Sequence, residues 1–298
     1  MNNKHIAILA LVIANIVWGA TSPIMKWALA DLQPFTMAFL RFFLAAFILL
    51  PFARKQLFIQ KKDIFNLAIM ALFGVSLSIG LFLLALTTTE SINAPLIGSS
   101  TPIFVVIISI FFLHEKAKVR TIAGSILGLL GIIVILLNPI LEKGLDSSLI
   151  GNLLLIASTL TGVVHLFISK KLRNTYSPIT LTFYSFLFGS LFFVPLFIGD
   201  IVTSGIPTIG MQGFIGITFG ALIASAMAHF FFYWSEKYLN PADVSIFAYI
   251  PPVVAVLVAI PLLHEKVSEL FLIGALLVFV GLYIAEAHKK YHPLHHSR

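Results

Sequence analysis

The chain has no cysteine and very few charged residues. Without cysteine it can form neither a disulfide, a thiolate metal site nor a thiol nucleophile. Only 10% of its 298 residues are charged, whereas about a quarter are charged in an average soluble domain. In their place, 59% of the residues are hydrophobic and the mean hydropathy is +1.03. This composition excludes an ordinary soluble domain and predicts a chain whose solvent is lipid.

Several catalytic and binding signatures are also missing. Neither His-Glu dipeptide, at 114 and 264, is followed by the second histidine that a zinc protease needs. The chain lacks a Gly-x-Ser-x-Gly elbow and a phosphate-binding P-loop. Its formal charge is +7, but the basic residues are scattered between apolar runs, which argues against nucleic-acid binding. We therefore expect neither an enzyme nor a bound metal or cofactor.

Ten apolar runs, each able to cross about 30 Å of hydrocarbon, follow one another with short loops. They cover about 6–30, 34–53, 64–87, 92–113, 119–137, 150–169, 178–198, 210–234, 242–263 and 268–286. An even number of spans places both termini on one side. With the N-terminus inside, 15 basic residues lie in cytoplasmic segments and two lie outside, so we predict a cell-membrane protein with both termini cytoplasmic.

The second half of the chain repeats the first. At an offset of 150, the matches are Pro102 with Pro252, Leu113-His114-Glu115-Lys116 with Leu263-His264-Glu265-Lys266, Gly124 with Gly274 and Gly131 with Gly281. Nearer the start of each half the offset is 144, pairing Lys26 with Lys170 and Pro34 with Pro178. The fold predicted is an all-α membrane protein of two five-helix repeats, 1–138 and 148–288, followed by a basic, His-rich cytoplasmic tail, 289–298. Because five is odd, the repeats are inverted, which suits alternating access around a midplane site.

These residues resemble the EamA-type transporters of the drug/metabolite transporter superfamily over nearly the whole chain. The resemblance is carried by Trp18-Gly19, by Pro34 to Arg41, and by the twice-repeated Pro-containing span that ends in Leu-His-Glu-Lys before a Gly-punctuated span. It implies a ten-helix carrier, often an exporter of amino acids or related metabolites. The second half departs from it where Ser185 stands opposite Arg41.

Helix breaks and polar residues inside the spans are the candidate substrate site. Pro102 and Pro252 interrupt corresponding spans and free backbone carbonyls, including those of Gly98 and Ala248, although proline is also common in spanning helices for structural reasons. Polar residues recur on single helical faces, which predicts a polar cavity. The substrate-binding candidates are Asn15, Trp18, Ser22, Lys26, Arg41, Ser76, Glu90, Ser100, His165, Ser225, His229 and Tyr249. Small polar residues of this kind also let helices pack together.

The ionisable candidates leave several roles open. Arg41 lies about 10 Å from the start of span two, deeper than Lys26, so we expect Arg41 to need a partner or a water-filled cavity. Glu90 is a candidate to pair with either cation, to bind an ammonium group or to carry a proton. His165 and His229 are candidates to bind a carboxylate, relay protons or join helices. Glu265, like Glu115, is expected to be structural, at the N-terminus of the following helix.

The resulting hypothesis is a secondary transporter, an exporter of amino acids or related small metabolites. Its expected partners are the small-molecule substrate, membrane lipids and a proton as a candidate coupling ion. Glycines 124, 128 and 131 of span five and 274 and 281 of span ten form smooth faces that suit close helix packing or a homodimer. A flippase for lipid-linked substrates or a channel are the nearer alternatives, and an intramembrane enzyme is the weaker one.

Overall fold

The computed structural model describes residues 3–114, 118–143, 147–235, 238–239 and 246–286, and this part of the chain is helical, with no strand. We number the helices in chain order and give directly joined stretches one number. They are α1 (Asn3–Ala28), α2 (Pro34–Ala53), α3 (Ile64–Ala71, Leu72–Leu77 and Ser78–Leu86), α4 (Asn93–Ser99 and Thr101–Leu113), α5 (Val119–Lys143), α6 (Ser147–Leu172), α7 (Pro178–Ser204), α8 (Met211–Thr218, Phe219–Met227 and Ala228–Ser235), α9 (Ile250–Leu263, after a 3-10 turn at Ile246–Tyr249) and α10 (Glu269–Glu286). The tail predicted at 289–298 lies outside the described residues, as do Glu115 and Lys116.

Most of these helices are long and apolar enough to cross a membrane. Seven of the described helices are long and apolar enough to cross a membrane. The two parts of α4 are bent by 40° and raise the number to eight if they form one span. The apolar helices at Phe247–Leu263 and Glu269–Ala285 are shorter. Large hydrophobic side chains are exposed along the outside, including Phe47, Phe111 and Phe230. The protein is therefore a multi-pass membrane protein.

Helix ends follow from local residues. Pro34 and Pro178 stand at the starts of α2 and α7, where a missing N–H costs nothing. His114 and His264 end α4 and α9 in the left-handed region, at φ values of 52° and 55°. Non-glycine residues are uncommon in this region, and histidine is one of those that adopt it more often. Its recurrence at the repeat offset of 150 gives both helices the same termination.

The break in α4 falls between its two stretches, at Ser100, and three consecutive hydroxyls satisfy the carbonyls before it. Ser99 donates to the Leu96 carbonyl at 2.7 Å, and the buried Ser100 donates to that of Ile97. Thr101 donates to the Gly98 carbonyl at 2.7 Å. The carbonyl that Pro102 was expected to free for a substrate thus already has a hydrogen-bond donor from its own helix.

Glycines bring α5 and α10 into close contact inside the chain. A Cβ on Gly131 would lie 2.7 Å from the Gly274 carbonyl oxygen, and one on Gly124 would lie 2.6 Å from that of Gly281. The smooth glycine faces of these helices therefore face each other. The homodimer stays a prediction, and it would have to use other faces of α5 and α10.

Polar contacts between loops define two faces of the bundle. At the face we call the N-face, Tyr176 donates to Asp63 at 2.7 Å and Thr180 donates to the Gln56 carbonyl at 2.9 Å. These contacts join the segment between α2 and α3 to the turn between α6 and α7. Burial is the first cause that raises the pKa of Tyr176, and its hydrogen bond to Asp63 and the carboxylate charge raise it further. The Tyr176 hydroxyl therefore stays a donor to Asp63 at neutral pH.

The other end of the bundle, which we call the opposite face, has its own contacts. Asp200 at the end of α7 accepts from the backbone N–H of Thr36 at 2.8 Å and from its hydroxyl at 3.1 Å. Asp31 after α1 accepts from the Gly213 N–H at 2.9 Å. Each carboxylate caps the N-terminus of a neighbouring helix, α2 or α8.

Candidate functional site

A cavity of ≈ 120 Å³, which we call the cationic cavity, lies between α2, α3, α6, α7 and α8. It is lined by Arg41, Phe42, Met70, Gly74, Val75, Ile79, His165, Ser169, Arg173, Leu181, Thr182, Ser185, Phe186 and His229. The exposed Arg173 lies at the N-face end of α6, whereas Arg41 lies in the middle of α2. The cavity thus leads from the N-face towards the centre of the bundle.

Arg41 is the buried charge of this cavity. Its side chain is 5% exposed, its Nε donates to the Ser225 hydroxyl at 3.2 Å, and its Cζ lies 5.0 Å from the centre of the Phe42 ring. Its Nη1 atom is buried and has no hydrogen-bond acceptor in the described part of the chain. Because arginine stays charged in proteins, the cavity contains a cation with an unused donor.

Two π-helical stretches adjoin the cationic cavity: the first supplies Gly74 and Val75 to its lining, and the second contacts Arg41. Leu72–Leu77 interrupts α3 and Phe219–Met227 interrupts α8, and such interruptions are frequent at functional sites. Each contains a glycine against which a cavity side chain lies: His165 packs on Gly74, and the Arg41 Cδ would be 2.9 Å from a Cβ on Gly220. The missing side chains make room for the two polar groups.

Both predicted histidines reach the cationic cavity. The Nδ1 atom of His165 lies 3.0 Å from the Met70 carbonyl oxygen, and that of His229 lies 2.8 Å from the Ser225 carbonyl oxygen. The His229 ring is also held edge-on by Trp18, at 5.3 Å between ring centres, and by Phe186, at 5.6 Å. These contacts fix the ring orientation of His229.

A second cavity of ≈ 320 Å³, which we call the side crevice, lies between α2, α7 and α8 towards the N-face. It is lined by Leu49, Gln56, Ser177, Pro178, Ile179, Thr182, Ala226, His229, Phe230 and Trp234. Thr182 and His229 line both cavities, so the two adjoin. Apolar groups dominate the side crevice, and its Phe230 is 61% exposed on the outer surface.

At the opposite face, an ion pair between Lys26 and Glu265 joins α1 to the turn between α9 and α10. Lys26 Nζ lies 2.8 Å from Glu265 Oε1 and also donates to the Thr89 carbonyl at 2.7 Å. Glu265 accepts from the Ser91 N–H at 2.7 Å, from the Ser91 hydroxyl at 3.0 Å and from the Ile92 N–H at 3.2 Å. The partner of Lys26 is thus Glu265, where Glu90 was one expectation. The N–H groups that Glu265 binds lie directly before α4 and not, as expected, at the start of α10.

The other candidates are distributed over helix contacts. Asn15 donates to the Leu11 carbonyl within α1 at 2.8 Å, and Trp18 Nε1 donates to the Ala224 carbonyl at 3.1 Å. Ser76 donates to the Gly189 carbonyl at 3.2 Å and Tyr249 packs edge-on against Phe279. Ser22 and Pro252 are buried in α1 and α9. The candidates that line the cationic cavity are Arg41, His165 and His229, with Ser225 bonded to Arg41.

The sequence analysis missed Thr182, Ser185 and Arg173 of the lining. Ser185 was noticed only as the residue opposite Arg41 in the repeat. A partial signal was present: the dipeptide Phe-Gly occurs at both π-helical stretches, at 73–74 and 219–220, and also at 188–189 in α7. The two π-helical copies are 146 positions apart, which falls between the 144 and 150 of the other matches.

Comparison with known proteins identifies the family. The sequence profile of the EamA-like transporter family matches residues 5–137 and again 149–286. The chain belongs to the EamA-like transporter family. One relative, named "Uncharacterized transporter", from Archaeoglobus fulgidus, is 25% identical over 96% of this chain and 99% of its own. Another, "Uncharacterized transporter YetK" from Bacillus subtilis, is 28% identical over 95% of this chain and 88% of its own. A family of transporters indicates transport and not catalysis.

A solved structure supports the same fold. It is titled "Crystal structure of protein", has a TM-score of 0.63 and 17% sequence identity, and the alignment covers 94% of this chain and 96% of that one. At this identity the likeness extends to the fold alone, so the chemistry of the EamA-family cavity has to be argued from its own residues.

Proposed function

We propose that this EamA-family protein is a secondary transporter that exports amino acids or related small metabolites by alternating access around the cationic cavity. The observation that carries the proposal is Arg41, a buried cation in mid-bundle whose Nη1 donor has no protein acceptor among the described residues. Charged groups inside a membrane domain are costly and are retained where they bind cargo or ions. The adjoining histidines are candidates to bind the same cargo or a coupled proton.

The ten-span inverted repeat remains part of the proposal. Two features support it: the profile matches the chain twice, and helix neighbours correspond between the halves. In the first half, α1 packs on α8 and α9 of the second half. In the same way, α6 of the second half packs on α3 and α4 of the first. The pairs α2 with α7 and α5 with α10 complete the pattern. Rocking one repeat against the other is a common way to alternate access.

We assign the N-face to the cytoplasm. The basic residues Lys61 and Lys62 of the segment before α3, and Arg173 after α6, lie at this face, as the positive-inside rule requires of cytoplasmic loops. In this conformation the cationic cavity extends from the N-face, and the Lys26–Glu265 ion pair joins helices at the opposite face. Such an arrangement corresponds to an inward-facing state, the state in which an exporter loads its cargo.

Counterflow in proteoliposomes tests the proposal. Vesicles are loaded with unlabelled amino acids or related metabolites, and uptake of each labelled counterpart is measured. Saturable exchange by the wild type that Arg41→Ala and His229→Ala abolish is expected. Arg54→Ala, which removes an exposed arginine outside both cavities, is the matched control and should exchange normally. Folded protein that exchanges no solute of the panel, or that moves lipid instead, would contradict it.

A further inference from the structure

The cationic cavity has an uncompensated positive charge. Of the lining residues that the structure describes, two are arginines and none is acidic. Arg41 forms no ion pair with a carboxylate in the described part of the chain, and its Nη1 is unpaired although the side chain is 95% removed from solvent. A buried cation without a partner is unfavourable by several kcal/mol. An anionic group on the ligand would supply the missing partner.

The side crevice supplies the second half of the binding site. It adjoins the cationic cavity at Thr182 and His229 and continues between Phe230 and Trp234, away from Arg41. Among the described residues that line it, none is acidic either. An ammonium group in the two cavities would find no counter-charge among these described residues and would be repelled by Arg41. An apolar group in the side crevice would instead bury its surface against aromatic rings.

From these observations we propose that the cargo is an organic anion whose carboxylate binds Arg41 and whose apolar group occupies the side crevice, and that such anions are preferred over the zwitterionic amino acids of the same skeleton. This inference rests on the proposed transport function and narrows its cargo. The carboxylate accepts from the free Nη1, and the hydroxyls of Thr182 and Ser185 line the same space. Arginine is suited to this role because its planar donors match a carboxylate.

Direct binding to the purified protein in detergent tests the anion requirement without depending on transport. Four probes are compared: 3-phenylpropanoate, its neutral amide, phenylalanine and propanoate. The inference predicts that 3-phenylpropanoate binds at least about tenfold more tightly than either its amide or phenylalanine, the ratio that one charge-assisted hydrogen bond provides. Propanoate, which lacks the ring, should also bind at least about tenfold more weakly.

Variants assign the two effects to their residues. Arg41→Gln should abolish the preference for the anion over the amide, Arg41→Lys should keep part of it, and Arg54→Gln should leave it intact. Trp234→Ala should reduce the advantage of 3-phenylpropanoate over propanoate and keep the requirement for charge. If Arg41→Gln does not fold, the wild-type series still decides, because the probes differ only in charge or in the ring. Micelles without protein measure the partitioning of the probes.

The outcomes separate the inference from the proposed function. Phenylalanine or the amide binding as tightly as 3-phenylpropanoate would overturn the anion preference, even if counterflow of amino acids is found. An anion preference that survives Arg41→Gln would overturn the assignment to Arg41. Tight binding of 3-phenylpropanoate without any counterflow would leave the binding site standing and remove the transport function.

Discussion

Lys26 Nζ lies 2.8 Å from Glu265 Oε1 and links the end of α1 to the turn between α9 and α10. The two residues are 239 positions apart in sequence, so the contact forms only when the halves of the chain assemble. Glu265 also holds the start of α4 through Ser91 and Ile92. One carboxylate thus joins three helices at the opposite face, and it must be released if this face is to open.

Loss of Glu265 should therefore cost more stability than loss of Lys26. The Glu265 side chain is 6% exposed and its removal leaves the Ser91 and Ile92 N–H groups without their acceptor, whereas the Lys26 side chain is 27% exposed. We expect Glu265→Ala to destabilise the protein by ~1–3 kcal/mol for the donors left unpaired, and Lys26→Ala by less. Thermal unfolding in detergent measures both. Equal unfolding midpoints for the two variants would mean that Glu265 stabilises the protein through the ion pair and not through the Ser91 and Ile92 N–H groups.

The glycine contacts between α5 and α10 predict position-dependent effects of a single methyl group. A Cβ on Gly124 would lie 2.5 Å from the Ala285 backbone nitrogen, whereas a Cβ on Gly199 of α7 meets nothing within 4 Å. Gly124→Ala should cost about 1–3 kcal/mol because the helices have to separate. Gly199→Ala should be neutral or slightly stabilising, since alanine is the better helix former. A Gly124→Ala variant as stable as Gly199→Ala would contradict the close α5–α10 contact.

Gly220 should matter for transport more than for folding. A Cβ at this position would lie 2.9 Å from the Arg41 Cδ, in the part of the side chain that leads to the guanidinium. Gly220→Ala is expected to displace the guanidinium and lower the counterflow rate several-fold while thermal unfolding changes little. Gly98→Ala, where a Cβ has open space, is the control and should transport normally. Normal counterflow by Gly220→Ala would argue that the position of Arg41 is unimportant.

The buried side-chain amide of Asn152 in α6 should stabilise the opposite face through its hydrogen bonds. Its Oδ1 accepts from the Thr89 hydroxyl at 2.7 Å and from the Asn93 amide at 3.0 Å, while its Nδ2 donates to the Ile135 carbonyl. Asn152→Leu should destabilise the protein by ~1–3 kcal/mol, because the three partners lose a buried hydrogen bond. Unfolding in detergent checks this, with Asn174→Leu in the exposed turn after α6 as control. Similar losses in both variants would show that the network is dispensable.

The sequence predicted the helices better than the partners of their polar residues. Hydrophobic runs and the prolines at 34 and 178 are local signals, and they placed the starts of α2 and α7 correctly. The partner of Lys26 could not be predicted, because Glu265 lies at the far end of the second half and reaches Lys26 only through the packing of α1 on α9. Glu90, which directly precedes the Ser91 and Ile92 groups that Glu265 binds, was the candidate that the sequence analysis named for Lys26.

The same limit applies to the cavities. Arg41, His165 and His229 stood out because ionisable groups are rare in spans. The side crevice contains no ionisable residue in mid-span that stands out in the same way, apart from His229, which it shares with the cationic cavity. Its apolar residues, such as Phe230 and Trp234, cannot be distinguished in sequence from apolar residues that face lipid. Only the arrangement of α2, α7 and α8 shows that these residues enclose space.

The absence of cysteine permits a direct test of orientation and of the open face. Single variants Lys62→Cys and Ser204→Cys introduce thiols at exposed positions of the N-face and of the opposite face, and Ser185→Cys introduces one into the cationic cavity. With a membrane-impermeant maleimide on intact cells, only Ser204→Cys should react. In inside-out vesicles Lys62→Cys should react, and Ser185→Cys should follow because the cavity extends from that side. Labelling of Ser185→Cys from the outside alone would contradict the proposed inward-facing state. Labelling of Lys62→Cys on intact cells would contradict the proposed orientation.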